Sequence, residues 1–164
     1  MRLLVLADTH IRDGSARDLP AVVWDLADGA DAILHGGDVI GHDLLSRLSA
    51  TAPTYAVLGN NDHELAGVVP ERRIVEIEGM QIGMVHDSGS RGGRAKRLHK
   101  WFPDCAVVVF GHSHEPFDDP GVDGQRLFNP GSTVERRRQV HHTVGLLEIV
   151  DGILVDHEIR IVDG

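Results

Sequence analysis

Short apolar runs that stop at glycine or polar residues recur along the first third of this 164-residue chain. The first run covers residues 2–7, the second covers 33–35 before a Gly-Gly-Asp at 36–38, and the third covers 54–58. Runs of this length indicate buried strands. Strands that alternate with helices are typical of a parallel α/β sheet, which binds ligands beyond the carboxyl ends of its strands.

The segments between these apolar runs have the residue spacing of helices. Apolar residues recur at that spacing from Ala16 to Asp28, with Pro20 tolerable in the first turn and Gly29 as a stop. A second helix is predicted from Asp43 to Ala50. Strand, helix and strand in this order predict the beginning of an α/β domain.

The second half of the chain contains candidate hairpins. Residues 73–78 and 81–86 are strand-like and meet at a Glu-Gly-Met turn, and residues 144–150 and 153–161 meet at Asp151-Gly152. Residues 106–110 form the most hydrophobic strand. Between the first hairpin and this strand, residues 91–101 are basic and have a helical pattern, which favours a helix with a solvated face.

The composition restricts the class of protein. One domain covering residues 1–164 is expected, and no apolar run is long enough to span a bilayer. No cleavage signature follows the first strand, so we expect a cytoplasmic protein. The formal net charge of −9 argues against stable nucleic-acid binding through a basic surface, but it permits a phosphate-bearing substrate. Cys105 is the only cysteine, so no internal disulfide is expected.

Polar side chains that can bind metals follow the predicted strands. They are Asp8, His10, Asp38, Asn60, His86, His112 and His114. The pairs Asp8/His10 and His112/His114 are each two residues apart, so in extended backbone both side chains of a pair lean to one side. Carboxylates and imidazoles suit borderline or hard divalent cations, and seven such ligands suffice for a two-metal centre. Each member has a plainer interpretation: Asp8 and Asp38 as turn residues, Asn60 in a left-handed turn, and the histidines as surface residues.

Taken in order, Asp-x-His, Gly-Asp, Gly-Asn, His and Gly-His-x-His resemble the calcineurin-like metallophosphoesterases. The short length and the Asn-Pro-Gly-Ser turn at 129–132 are similar to the small cap-less phosphodiesterase subgroup. The resemblance implies a four-layer α/β/β/α sandwich of two mixed sheets. It also implies two divalent metal ions, with manganese as the first expectation and iron, nickel or zinc as the alternatives.

The resemblance assigns the ligands by position. One metal is expected on Asp8, His10, Asp38 and His114, and the other on Asp38, Asn60, His86 and His112, with Asp38 as the bridge. The implied function is hydrolysis of a small-molecule phosphodiester by a hydroxide that bridges the two metals. Asp38 and Asn60 therefore count as catalytic residues as well as ligands.

One position departs from the family pattern. Many members have a histidine after the metal-binding asparagine, where this chain has Asn61. His63 is a candidate substitute acid, and Asn61 and Arg136 are candidate substrate-binding residues, Arg136 within the basic run 136–138. A non-catalytic protein-interaction scaffold on the same fold and a phosphomonoesterase are the alternative functions, and a homo-oligomer is left open.

Overall fold

The computed structural model describes residues 1–163, in which ten strands and three α-helices are formed. The helices are α1 (Ala21–Asp28), α2 (His42–Thr51) and α3 (Arg94–Trp101). The strands are β1 (Arg2–Leu6), β2 (Ala32–His35), β3 (Thr54–Ala56), β4 (Arg72–Ile77), β5 (Met80–Val85), β6 (Val107–Val109), β7 (Phe117–Pro120), β8 (Arg126–Asn129), β9 (Thr143–Val150) and β10 (Ile153–Ile161).

The strands form two mixed five-stranded sheets. One has the order β10-β9-β1-β2-β3, in which β1, β2 and β3 are parallel and β9 runs antiparallel to β1. The other has the order β4-β5-β6-β8-β7, in which β5, β6 and β8 are parallel. In each sheet, the neighbouring parallel strands present their carboxyl ends at one edge.

Three apolar clusters hold the layers together. In β1, Leu4 and Leu6 pack with residues of α1 and α2, whereas Leu3 and Val5 face the second sheet. This alternation follows from the two-residue period of a strand. On the far side of the second sheet, Leu98 of α3 packs in the third cluster. The predicted four-layer α/β/β/α sandwich is confirmed.

Both predicted hairpins are confirmed, but two helices begin later than expected. Helix α1 starts at Ala21 rather than Ala16, because Pro20 has an extended ψ of 147° and a proline disfavours helical backbone in the residue before it. Helix α3 starts at Arg94 rather than Arg91, because Gly93 has a φ of 72°. Strand β7 was missed, since Asp118-Asp119-Pro120 has no apolar alternation.

The basic stretch is only partly a solvated face. Arg94 lies against the rings of Phe110 and Phe117, each 5.1 Å from its guanidinium carbon, and Arg97 donates to carbonyls of its preceding loop. Within residues 1–163, no helix is both long and apolar enough to cross a membrane.

Candidate metal centre

All seven candidate ligands meet at one end of the two sheets. Asp8 and His10 follow β1, Asp38 follows β2, Asn60 follows β3, His86 follows β5, and His112 and His114 follow β6. The carboxyl ends of five strands therefore deliver the set, as expected for ligand sites in open α/β sheets.

The backbone at these positions is left-handed rather than extended. Five of the seven candidates have positive φ: Asp8 (53°), His10 (51°), Asp38 (57°), His112 (70°) and His114 (57°). The extended backbone expected for both pairs was therefore wrong, although Asp8 and His10 do converge. Non-glycine residues adopt this conformation at a cost, and such strain persists only where the surrounding structure over-determines it.

Asp62 helps to hold the backbone of these residues in place, and the sequence did not identify it as a site residue. Its carboxylate is buried, with 1% of the residue exposed. One oxygen accepts from the amides of Gly59 (2.7 Å) and Asp38 (2.9 Å), and the other accepts from Ile40 (2.7 Å). An aspartate in a Gly-Asn-Asn-Asp turn is a recognisable acceptor for nearby amides, and that was the available signal.

The Asn-Pro-Gly-Ser turn after β8 supports the ligand loops. Ser132 donates from Oγ to the Asp8 carbonyl (2.7 Å) and accepts from the Glu135 amide (2.9 Å). Asn129 donates to the carbonyl of Gly111 (3.1 Å), which directly precedes His112. The turn therefore connects the loops after β1 and β6.

Asp8, His10 and His114 form the first candidate group, with ligand atoms within 4.8 Å of one another. His114 Nε2 lies 3.5 Å from Asp8 Oδ1, and His10 Nε2 lies 4.0 Å from the same oxygen. His114 donates from Nδ1 to the Glu135 carbonyl, which leaves the Nε2 lone pair directed into the group. A backbone partner that fixes the tautomer in this way is typical of metal-binding histidines.

Asp8, Asp38 and His86 form the second candidate group. His86 donates from Nδ1 to the Gly36 carbonyl (2.8 Å), so its Nε2 lone pair faces Asp38 Oδ2 at 3.4 Å. The same oxygen lies 3.4 Å from His10 Nε2. Asp38 thus lies between a histidine of each group, which is the position a bridging carboxylate requires.

Asn60 and His112 extend the second group. Asn60 Oδ1 lies 3.0 Å from His86 Nε2 and 2.9 Å from His112 Nδ1. Asn60 is not among the residues with positive φ, so the alternative interpretation as a left-handed turn residue was wrong.

The charged groups at this end of the sheets have shifted pKa values. Burial raises the pKa of Asp8 to about 7, and neighbouring Asp38 adds to that rise. Burial opposes the charge of Asp38 too, but the adjacent imidazole of His86 and the hydrogen bonds from Asn61 outweigh it and hold its pKa well below the usual range. Asn61 donates its amide to Oδ1 (2.8 Å) and its side-chain Nδ2 to Oδ2 (2.7 Å).

The donor set fits divalent cations. Three buried atoms of this site have no hydrogen-bond partner among residues 1–163: Asp8 Oδ2, His10 Nε2 and His114 Nε2. Buried acceptors without donors are costly, and converging carboxylate and imidazole lone pairs are stabilised by a cation between them. The two groups have the Asp8 carboxylate in common, and Asp38 of the second group also lies close to His10 of the first.

Two clefts flank this centre. The large cleft, about 670 Å³, is lined by ten residues: His10, Arg12, Asp13, Ser15, Arg17, Ile40, Asn61, His63, Glu64 and Glu135. The small cleft, about 410 Å³, has Asn60, His63 and His86 among its lining residues. His63 lines both clefts, so it lies where they meet.

The predicted substrate-binding arginine is engaged elsewhere. Arg136 donates to the carbonyls of Gln139 (2.9 Å) and Val140 (3.0 Å) within its own loop. Its neighbour Arg137 is exposed with a φ of 51°, and its charge opposes protonation of His10 and His114, although burial is the larger cause of their lowered pKa values.

Comparison with known proteins places this site in a family. Residues 1–152 match the calcineurin-like phosphoesterase superfamily domain. A probable metallophosphoesterase of Methanothermobacter thermautotrophicus is 35% identical over 97% of this chain and 91% of its own length. One from Methanocaldococcus jannaschii is 39% identical over 83% of this chain and 70% of its own length.

Solved structures share the fold over nearly the whole chain. A Thermotoga maritima protein solved by solution NMR is 29% identical, with a TM-score of 0.74 over 98% of this chain and 99% of its own. Vps29 from Entamoeba histolytica, crystallised with Zn²⁺, is 24% identical, with a TM-score of 0.76 over 99% of both chains.

Proposed function

Because this chain belongs to the calcineurin-like phosphoesterase superfamily, we propose that it is a metal-dependent phosphodiesterase of the small cap-less subgroup. The observation that carries the choice of a diester is the pair of clefts that meet at His63 beside the candidate metal centre. A phosphodiester has two ester groups on one phosphorus, and each cleft can receive one. A monoester would leave one of the clefts without a substrate group.

We assign the ions to the two candidate groups. One ion is placed on Asp8, His10, Asp38 and His114, and the other on Asp38, Asn60, His86 and His112. Two divalent ions would supply Lewis acidity that makes water nucleophilic near neutral pH, and charge that stabilises the phosphoryl oxygens. Manganese is the first candidate, with iron, nickel and zinc as alternatives, since nitrogen and oxygen ligands accept all four.

The chain's own residues orient these ligands and the substrate. Asn61 holds both oxygens of Asp38, and the carbonyls of Gly36 and Glu135 fix the tautomers of His86 and His114. Arg137 is the cation we place over the phosphoryl group, because its charge already acts on the residues of the first group.

His63 is the proposed acid for the leaving group. It lies where the two clefts meet, so it can reach the ester oxygen of a group in either one. Protonation matters most for a basic leaving group, so His63→Ala should slow alkyl diesters more than aryl diesters and should flatten the pH dependence of kcat. An unchanged pH profile and an unchanged ratio of alkyl to aryl rates would remove His63 from the mechanism.

The function is tested by metal analysis of the purified protein together with a paired assay. Bis(4-nitrophenyl) phosphate and 4-nitrophenyl phosphate are compared after reconstitution with manganese, nickel or zinc. We expect about two metals per chain and faster cleavage of the diester. Faster cleavage of the monoester would indicate a phosphomonoesterase. Less than one metal per chain with neither substrate cleaved would indicate a protein-interaction scaffold.

A further inference from the structure

The side chains that line the large cleft beside the candidate metal centre are polar, with one exception. Ile40 is the one aliphatic side chain on its lining within residues 1–163, and the rest is charged, imidazole, amide or hydroxyl. Charged and hydrogen-bonding side chains on this lining offer partners to the polar substituents of a ligand. The ester group that this cleft accepts is therefore hydrophilic.

Most charges of the large cleft are already used by the protein. Both oxygens of Asp13 accept from backbone amides that open α2, those of His42 (3.2 Å) and Asp43 (2.9 Å). Arg17 and Glu135 form an ion pair at 2.7 Å. These groups stabilise the fold around the cleft and are not free to select a ligand.

Two charged side chains on the lining remain without a partner. Within residues 1–163, the guanidinium of Arg12 makes no hydrogen bond or ion pair, and neither does the carboxylate of Glu64. A guanidinium offers five N–H donors in a planar fork that matches a carboxylate or a phosphate. Arg12 is thus the uncommitted anion-binding group of the cleft, and Glu64 is the charge that opposes it.

We infer that the large cleft takes a polar ester group carrying a second anion, a carboxylate or a phosphate, which Arg12 binds. This inference rests on the proposed phosphodiesterase function and names its substrate class. Arg12 is a specificity residue in it, and Glu64 limits the preference for an anion.

The test uses diesters with one 4-nitrophenyl group and a varied second group. The second group is 4-carboxyphenyl, 4-(phosphonomethyl)phenyl or the neutral 4-carbamoylphenyl. The first two distinguish a carboxylate from a phosphonate, and the third keeps the size without the charge. We expect kcat/KM to be about threefold to tenfold higher for one or both anionic diesters, and this ratio to fall with added salt.

Variants assign the preference to single side chains. Arg12→Gln should bring the anionic-to-neutral ratio close to one, whereas Glu64→Gln should increase it. Lys96→Gln is the matched control, because Lys96 is an exposed cation on α3 outside the lining of the cleft. A ratio near one in the unmodified protein, or a ratio that Arg12→Gln leaves unchanged, would overturn the inference.

A binding measurement separates this inference from the proposed function. The methylene phosphonate analogues of the three diesters cannot be hydrolysed at the replaced bond, and calorimetry in EDTA measures their Kd on metal-free protein. Arg12-dependent preference for an anionic analogue without hydrolysis of any diester would support the cleft assignment and reject the phosphodiesterase. Hydrolysis of all diesters with no effect of Arg12→Gln on rate or Kd would do the reverse.

Discussion

Asp62 is expected to control both the stability of the fold and the shape of the metal centre. Asp62→Ala removes a buried carboxylate that accepts three backbone amides, and two of these belong to Asp38 and Ile40, whose φ values are 57° and 81°. Each hydrogen bond to a charged group stabilises the fold by about 1.5–3 kcal/mol. The variant also no longer has to desolvate a carboxylate, and this gain offsets part of the loss of the three bonds. We expect a net loss of about 3–5 kcal/mol, near the upper end for single substitutions.

Asp62→Asn should cost less. Its single oxygen can keep the bonds from Gly59 and Asp38, but its NH₂ group then faces the Ile40 amide, so two donors oppose each other. Urea unfolding in EDTA, followed by tryptophan fluorescence, measures both variants on metal-free protein. With a slope of roughly 2 kcal/mol per molar urea, Asp62→Ala should lower the midpoint by about 2 M.

The matched control is Asp119→Ala, because Asp119 is exposed on β7 and forms no side-chain ion pair with any of residues 1–163. It should change stability by less than about 0.5 kcal/mol. If Asp62→Ala costs under about 1 kcal/mol, the three amides find other partners and the reasoning is wrong. If Asp62→Ala binds two metals with unchanged affinity, Asp62 does not shape the centre.

Three further predictions follow from buried groups. Asp38→Ala should remove both metals, whereas His86→Ala should weaken mainly one, as measured by metal content after dialysis. Burial lowers the pKa of His35 to about 3, so below about pH 6.5 the unfolded chain takes up a proton that the folded chain excludes. The free energy of unfolding should therefore fall by about 2 kcal/mol between pH 7 and pH 5. His35→Gln should remove this contribution. Gly145→Ala would place a Cβ 2.2 Å from the Phe128 ring, so the Tm should fall by several degrees or the protein should not fold, whereas Ala at exposed Gly67 meets no atom within 4 Å and strains only a φ of 81°.

Most of the fold could be predicted from the sequence because the sequence patterns that specify its strands and helices are local. Apolar runs of strand length, helical spacing between them and two glycine turns predicted the strands at the centre of both sheets. Strand β7 escaped because it is an edge strand of Phe-Asp-Asp-Pro, in which pairing with β8 outweighs poor strand propensity.

The sequence predicted which residues form the candidate site, but it did not predict their backbone conformation. The residues that follow the strands were identifiable because ligands collect at strand ends, whichever local backbone presents them. Their positive φ values were not, since Asp and His have no sequence marker for left-handed backbone as glycine has. The engagement of Arg136 depends on how its loop folds, because its hydrogen bonds go to carbonyls within that loop, and composition cannot show that.

Asn61 shows how the chain orients the Asp38 carboxylate through its own hydrogen bonds. Its amide and side chain donate to the two oxygens of Asp38, while Asp62 accepts from the Asp38 amide. The carboxylate that we propose as the bridge between two ions is therefore oriented by the protein's own groups, which would reduce the ordering cost of ion binding. Asn61 thus has a structural role without acting as an acid, and leaving-group protonation must come from another residue or from solvent.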